Sequence, residues 1–283
     1  MAFCARYAIL SHARTAALVA VSVVASAALY GAGKPLTVAL VFDGLTPAER
    51  EPLRAYLTRA MGRPVNLAAP DLYKETVAHL ASGSYDFACL GALTYVRAHA
   101  KYGVIPLVRP DLQSRSVFIT GTNSSIHALR DLSEKRFAFG DINATSTRLI
   151  AFGELVEAGI NPETDLKYRY SGSHVATAAL VESGVVDAGV LDETIFDSLI
   201  GAGKLDGNKV RIFHTSKLFV SYAYVAGRGV PEAEQKQFAR ALLSLTPGKD
   251  DAVLKILRAK RFVVANDQEY ADIRQLARKL KLF

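Results

Sequence analysis

Residues 140–150 read Gly-Asp-Ile-Asn-Ala-Thr-Ser-Thr-Arg-Leu-Ile and follow directly on the short apolar run Arg136-Phe-Ala-Phe139. A strand therefore ends at a glycine, three consecutive hydroxyl side chains follow, and an apolar helical pattern begins at Ser146 and runs to Ala158. The first turn of a helix leaves backbone N–H groups unsatisfied and carries a partial positive charge. Hydroxyls at Thr145, Ser146 and Thr147 add donors beside those amides, and the resulting nest suits a small tetrahedral oxyanion. Plain capping of the helix by one of the hydroxyls is the other reading of the same residues.

The turn opens the second of two similar runs. After Phe137-Ala-Phe139, a helix at Ser146–Ala158 is followed by a strand at Asp165–Tyr170, a helix at His174–Ser183, a strand at Val185–Leu191 and a helix at Thr194–Ala202. The first run has the same order, with strands at Leu36–Phe42, Pro64–Leu67 and Tyr85–Leu90. Helices start at Thr46-Pro-Ala-Glu, at Asp71 and near Tyr95. A Gly-x-x-Asp step leads into the third strand of each run, at Gly83-Ser-Tyr-Asp86 and Gly184-Val-Val-Asp187. Alternation of this kind gives an α/β protein in which parallel strands are covered by helices, and two such runs give two lobes. Further strands are expected at Ile105–Val108, Val117–Thr120, Val210–Phe213 and Tyr222–Val225. Helices are expected at Glu232–Ser244, Asp250–Arg258 and Gln268–Leu282. In open parallel sheets ligands bind beyond the carboxyl ends of the strands, which is where the 140–150 turn falls.

At 283 residues, half of them hydrophobic, the chain can bury a substantial core. Lys and Arg outnumber Asp and Glu by 34 to 27, but the charges are scattered and form no basic stripe interleaved with aromatics. The net charge of +7 fits a small anionic ligand, and nucleic acid is not expected as a partner. The first 27 residues have only Arg6 and Arg14 as charged side chains, then a uniformly apolar run from Thr15 to Val24 and a small-x-small end at Ala25-Ser-Ala27. This pattern reads as a secretory signal cleaved before Ala28, with an uncleaved anchor as the alternative, and it implies a periplasmic protein. Past that segment only Cys89 is left, so no intrachain disulfide is expected. The six histidines lack close pairing or an adjacent cysteine, so neither a metal nor another cofactor is expected.

Three stretches carry a family resemblance. Asp141-Ile-Asn-Ala-Thr-Ser-Thr147 resembles the Asp-Pro-Asn-Ser-Thr-Ser-Gly turn of the periplasmic substrate-binding proteins for phosphonate, phosphite and phosphate that serve ABC transporters. Ser171-Gly-Ser-His-Val-Ala176 with Gly184-Val-Val-Asp-Ala188 is similar to that family's Gly-Ser-His-Asp-Ala and Gly-x-Val-Asp-Ala. Tyr85-Asp-Phe-Ala-Cys-Leu-Gly91 with Tyr95-Val-x-Ala98 is similar to its Val-Asp-Ala-Trp-Leu-Gly and Tyr-Val-x-Ala. The resemblance implies a two-lobed type II periplasmic-binding-protein fold, each lobe a mainly parallel sheet flanked by helices. Lobe one would comprise residues 28–116 and the return segment 223–283, lobe two residues 117–222. The implied hinge is two strands near Ser116–Thr120 and Ser221–Val225. It implies further that Thr145, Ser146 and Thr147 hold the oxyanion, that His174 contacts it, and that Tyr95 closes over it from the first lobe. Asp192, beside Glu193, would hold an ammonium group on the ligand's tail, or else cap the helix at Thr194.

The departures from that pattern sharpen the expectations. Thr147 stands in place of the glycine, Val175 in place of the aspartate after the histidine, and Arg148 is more basic than expected; it would contact the anion or point to solvent. Cys89 is either a buried small hydrophobe or a thiol ligand for a soft species such as arsenite. The partner implied is an ABC transporter permease, or a membrane histidine kinase if the chain is a sensor, and the chain itself is expected to be a monomer. An exported enzyme is the third class, disfavoured because no nucleophile and base pair stands out.

Overall fold

The computed structural model describes residues 33–40, 46–70 and 73–282, with the side chain of Tyr73 outside the description. The expected export signal at residues 1–27 and the end of the first expected strand, Val41-Phe42, lie outside the described residues. In chain order the strands are β1 (Leu36–Ala39), β2 (Val65–Ala68), β3 (Phe87–Gly91), β4 (Ile105–Pro110), β5 (Gln113–Ser114), β6 (Ser116–Gly121), β7 (Arg136–Phe139), β8 (Lys167–Tyr170), β9 (Ala188–Asp192), β10 (Val210–Thr215), β11 (Phe219–Val220), β12 (Tyr222–Ala226) and β13 (Phe262–Val264). The helices are α1 (Pro47–Met61), α2 (Tyr73–Ser82), α3 (Ala92–Tyr102), α4 (Ala151–Glu157), α5 (His174–Glu182), α6 (Glu193–Gly201), α7 (Glu232–Leu243), α8 (Asp251–Ile256) and α9 (Ala271–Lys279). A π-helical turn, Thr145–Ile150, runs directly into α4.

Local chemistry sets the ends of these elements. Thr46 accepts the Glu49 N–H while the Glu49 carboxylate accepts the Thr46 N–H, a capping box in front of Pro47, and Gly62 at φ 66° closes α1. All five residues of β3 are buried, the pattern of a strand covered on both faces.

Two sheets result. The first has the order β13-β4-β12-β3-β1-β2 and the second β10-β6-β9-β7-β8. Within them β2-β1-β3 and β8-β7-β9 are matching parallel triplets, the products of the two βαβαβ runs. Each triplet is extended by an antiparallel strand contributed by the other half of the chain's path: β12 beside β3 and β6 beside β9. The chain changes sheets at β5 and β11, which pair with each other in a two-stranded ribbon. The segments expected to form the hinge are therefore β6 and β12 themselves, embedded in the sheets, and the crossing lies just upstream of each. Phe262–Val264, where the sequence reading placed no element, forms the edge strand β13 beside β4.

Strand alternation divides the core. Phe87 and Cys89 face one side of the first sheet, where Phe87 stacks on Phe238 of α7 with ring centroids 4.1 Å apart, while Ala88 and Leu90 face α3 and α9 on the other. Phe118, Phe137 and Phe139 cover one face of the second sheet, and Val117, Ile119 and Ala138 the other. Leu149 and Ile150, at the end of the π turn, pack into the cluster formed by α3 and α9 of the first sheet, so the π-turn helix bridges the two halves.

Candidate functional site

Parallel strands β3, β7, β8 and β9 each deliver the chain to a helix start: Gly91 before α3, Thr145 at the π turn, His174 at the start of α5, and Asp192 before α6. Gly91, Thr145, Ser146, His174, Asp192 and Ser221 surround one small cavity of about 20 Å³. Positive helix N-termini thus converge there from both sheets.

Thr145 is spent on a contact between the halves. Gly91 offers α3 no side-chain cap, and the Thr145 hydroxyl accepts the Leu93 backbone N–H at 3.0 Å in a buried position. Beside it, the Ala92 N–H donates to the Ser221 carbonyl at 2.8 Å, and the Ser116 hydroxyl donates to the Ser146 carbonyl at 2.8 Å. The start of the π-turn helix is therefore tied both to α3 and to β6. The π character is visible in the Leu149 N–H, which donates back five residues to the Ala144 carbonyl at 3.2 Å. Such turns widen a helix and recur at functional sites.

The nest residues do not share one role. Thr145 and Ser146 line the cavity, whereas Thr147 is fully buried with its hydroxyl lacking a hydrogen-bond partner and packed against Gly140. His174 lines the cavity, and its Nδ1 lies 3.2 Å from the Asp192 N–H. Accepting that bond fixes the neutral ring with its proton on Nε2, a donor suited to an anion. Asp192 caps α6: one carboxylate oxygen accepts the N–H and hydroxyl of Thr194, and the other accepts the Ser114 hydroxyl at 2.7 Å. Asp192 thus caps α6, and its bonds to Ser114 and Thr194 use most of the roughly four acceptor positions of a carboxylate.

Three expected site residues are placed elsewhere. Tyr95 sits in the first-sheet core between Tyr270 and His99, and its hydroxyl donates to Asp267 at 2.7 Å. Its helical phase turns it away from the cavity, and burial pushes its hydroxyl well above the usual tyrosine range. Arg148 neither lines this cavity nor points to solvent. Its guanidinium is buried 3.1 Å from the centroid of the Phe152 ring, with Nε and one terminal nitrogen lacking hydrogen-bond partners, and burial lowers its proton affinity. Cys89 lies on the face of β3 opposite α3, in contact with Tyr224, and burial pushes its thiol up to about 12.

Ser221 escaped the sequence reading as a site residue. It begins the crossing into β12, its residue is 7% exposed, and its hydroxyl is buried without a hydrogen-bond partner at the cavity wall. No local pattern marks it, because its position depends on β12 pairing with β3 across more than a hundred residues.

Comparison with known proteins decides the family. A family model described as the periplasmic substrate-binding protein of the phosphonate ABC transporter matches residues 45–270. The chain belongs to this family. A probable ABC transporter phosphite-binding protein, PhnD1 of Prochlorococcus marinus strain MIT 9301, is 29% identical over 184 residues, which cover 60% of this chain and 62% of that protein. The alignment thus spans less than two thirds of that relative. The solved structure of PhnD1 in complex with methylphosphonate superposes with a TM-score of 0.80 at 26% identity, covering 88% of this chain and 99% of that one. A binding protein component of an ABC phosphonate transporter from Pseudomonas aeruginosa shares the fold, with a TM-score of 0.75 at 17% identity over 86% of this chain and 85% of that one. The fold is that of the type II periplasmic binding proteins, and the family is one of transport proteins that bind substrates in the periplasm. Among the described residues no helix is long and apolar enough to cross a membrane.

Proposed function

We propose that the chain captures a small phosphorus oxyanion, a phosphite or an alkylphosphonate, between its two lobes and delivers it to an ABC transporter. The observation that carries this reading is the meeting of helix starts from both sheets around Ser146, His174 and the unpartnered Ser221 hydroxyl. Backbone amides, hydroxyls and a neutral imidazole are all donors, and donors are what a tetrahedral oxyanion requires. Residues 28–116 with 223–283 form one closing unit and residues 117–222 the other, turning about the β5–β11 ribbon. Export by the segment 1–27 and action as a monomer belong to the same reading. Family membership favours a transporter permease over a histidine kinase as receiver of the closed form. The reading assigns capture and delivery to the chain, in keeping with its family of substrate-binding transport proteins.

A thermal-unfolding series against phosphate, phosphite, methylphosphonate, aminoethylphosphonate, sulfate and arsenite tests it. A ligand at 100 times its dissociation constant adds about 2.7 kcal/mol, which corresponds to a rise of about 5 to 10 °C for a protein of this size. Phosphite or methylphosphonate should give such a rise and Ser146→Ala should remove it. A rise with sulfate alone, or with none of the six, defeats the proposal.

A further inference from the structure

Thr145 is not the only residue through which α3 meets the turn that follows β7. One helical turn beyond Leu93, whose amide the Thr145 hydroxyl accepts, Arg97 extends from the same helix, and its Nη1 donates to the Asn143 side-chain oxygen at 3.1 Å. Its Nε and Nη2 both donate to the Leu282 carbonyl, at 3.0 and 2.5 Å. That carbonyl is a fixed anchor: the Leu282 N–H donates to the Ala277 carbonyl of α9 at 2.8 Å, and Leu280 packs against core clusters of both halves. Asn143 is held from its other side as well, because its backbone N–H donates to Asp141 Oδ1 at 2.6 Å. Neither Arg97 nor Asn143 lines the proposed anion cavity, whereas Ala144, Thr145 and Ser146, which follow Asn143 directly, do.

We propose that Arg97 is a positioning residue for oxyanion binding: by tying Asn143 to α3 and to the Leu282 carbonyl, it holds the turn whose next residues present Ser146 to the ligand. The proposal rests on the reading of that cavity as the oxyanion site. A guanidinium is planar and carries its donors in a fixed fork, so the edge bonded to Leu282 sets where Nη1, and with it Asn143, must lie. Both acceptors are neutral, and burial, followed by the nearby Arg148 charge, lowers the proton affinity of Arg97. A half-buried cation is costly, and the three bonds offset that cost. A turn held in this way need not be ordered when the ligand arrives, and such preorganisation lowers the free-energy cost of binding. Arg97 fills the open position of the Tyr95-Val-x-Ala98 stretch, so the family resemblance assigns it no part in the site. Because it acts through Asn143 and does not line the cavity, its loss should be felt equally by every oxyanion that binds there.

The test is titration calorimetry with phosphite and methylphosphonate on the purified wild type, Arg97→Met, Arg97→Lys, Asn143→Ala and the double variant Arg97→Met with Asn143→Ala, each at a temperature where its unfolding curve shows it folded. Arg97→Met and Asn143→Ala are each expected to weaken both anions by about tenfold, and the double variant should do no worse than either. The ratio of the two affinities should stay that of the wild type. Arg97→Lys keeps the charge without the fork and should remain weakened. Lys101→Met, the same loss of charge at an exposed position one turn further along α3, should leave both affinities within about twofold of the wild type. Asn143→Ala leaves the bonds to Leu282 in place, so it reads the link even if Arg97→Met fails to fold. Wild-type affinity in Asn143→Ala, or additive losses in the double variant, overturns the proposal. Full affinity in Arg97→Lys does so too, since charge alone would then suffice, and a changed ratio between the anions would place Arg97 against the ligand instead of behind the turn. Failure of the wild type to bind either anion removes the oxyanion reading and this one with it.

Discussion

The Thr145 hydroxyl accepts the Leu93 backbone N–H at 3.0 Å, so a side chain of one half of the molecule caps a helix of the other. Thr145 also lines the proposed anion cavity, so the contact should respond to whatever enters it. Replacing Thr145 by Val keeps the shape and leaves the Leu93 amide unpaired. The expected cost is about 1 to 2 kcal/mol in urea unfolding. Small-angle scattering should show a larger radius of gyration for the variant; an unchanged stability and radius would show that the bond does not hold the halves together.

Gly140 is fixed by contact rather than by backbone angle. A Cβ there would overlap the Thr147 hydroxyl and come within 2.9 Å of the Thr147 Cβ. Gly140→Ala should therefore cost about 1 to 3 kcal/mol through overpacking. Thr147→Ala removes a hydroxyl that has no partner, so it should cost little by itself and should restore part of the loss in the double variant, the 2.9 Å contact with the Cβ at 147 remaining. Additive losses measured by chemical denaturation would contradict this packing.

Ser221 tests the cavity wall. Its buried hydroxyl lacks a partner, so Ser221→Ala should leave the unfolding free energy of the ligand-free protein within about 0.5 kcal/mol or raise it slightly. Methylphosphonate binding, read by calorimetry, should weaken by about tenfold, the value of one hydrogen bond to a charged group. Equal affinity in the two proteins would take Ser221 out of the site.

Cys89 is a core residue, and its titration follows from that. Burial raises the thiol to about 12 from an ordinary value near 9, so the folded state keeps a proton that the unfolded state gives up. The contribution is complete below pH 9 and is lost as the pH rises toward 12, because over that window the unfolded state is favoured by ionisation. The wild type should lose stability faster than Cys89→Ala between pH 9 and 10.5. Iodoacetamide should label Cys89 only under denaturing conditions, and rapid labelling of the folded protein at pH 8 would contradict its placement.

The architecture was legible because its signals are local. The capping box at Thr46 and Glu49, the buried run Phe87–Gly91 and the matching Gly-x-x-Asp steps all act within a few residues. That Thr145, Ser146 and His174 come together was legible for a related reason, since they mark helix starts that follow strands. What escaped the reading depends on distant partners. Whether Tyr95 or Cys89 faces the cavity is set by helix phase and by which face of β3 meets α3, and Arg148 found the Phe152 ring instead of an anion or water. Ser221 and the role of Thr145 as a cap for α3 appear only when β12 has paired with β3 and the π turn lies against α3.

The most direct test is the crystal structure of the protein in complex with methylphosphonate. The phosphonate oxygens are expected within hydrogen-bonding distance, about 2.7 to 3.2 Å, of the Ser146 and Ser221 hydroxyls and the His174 ring. A phosphonate bound elsewhere on the molecule, or held without Ser146 and His174, would contradict the site.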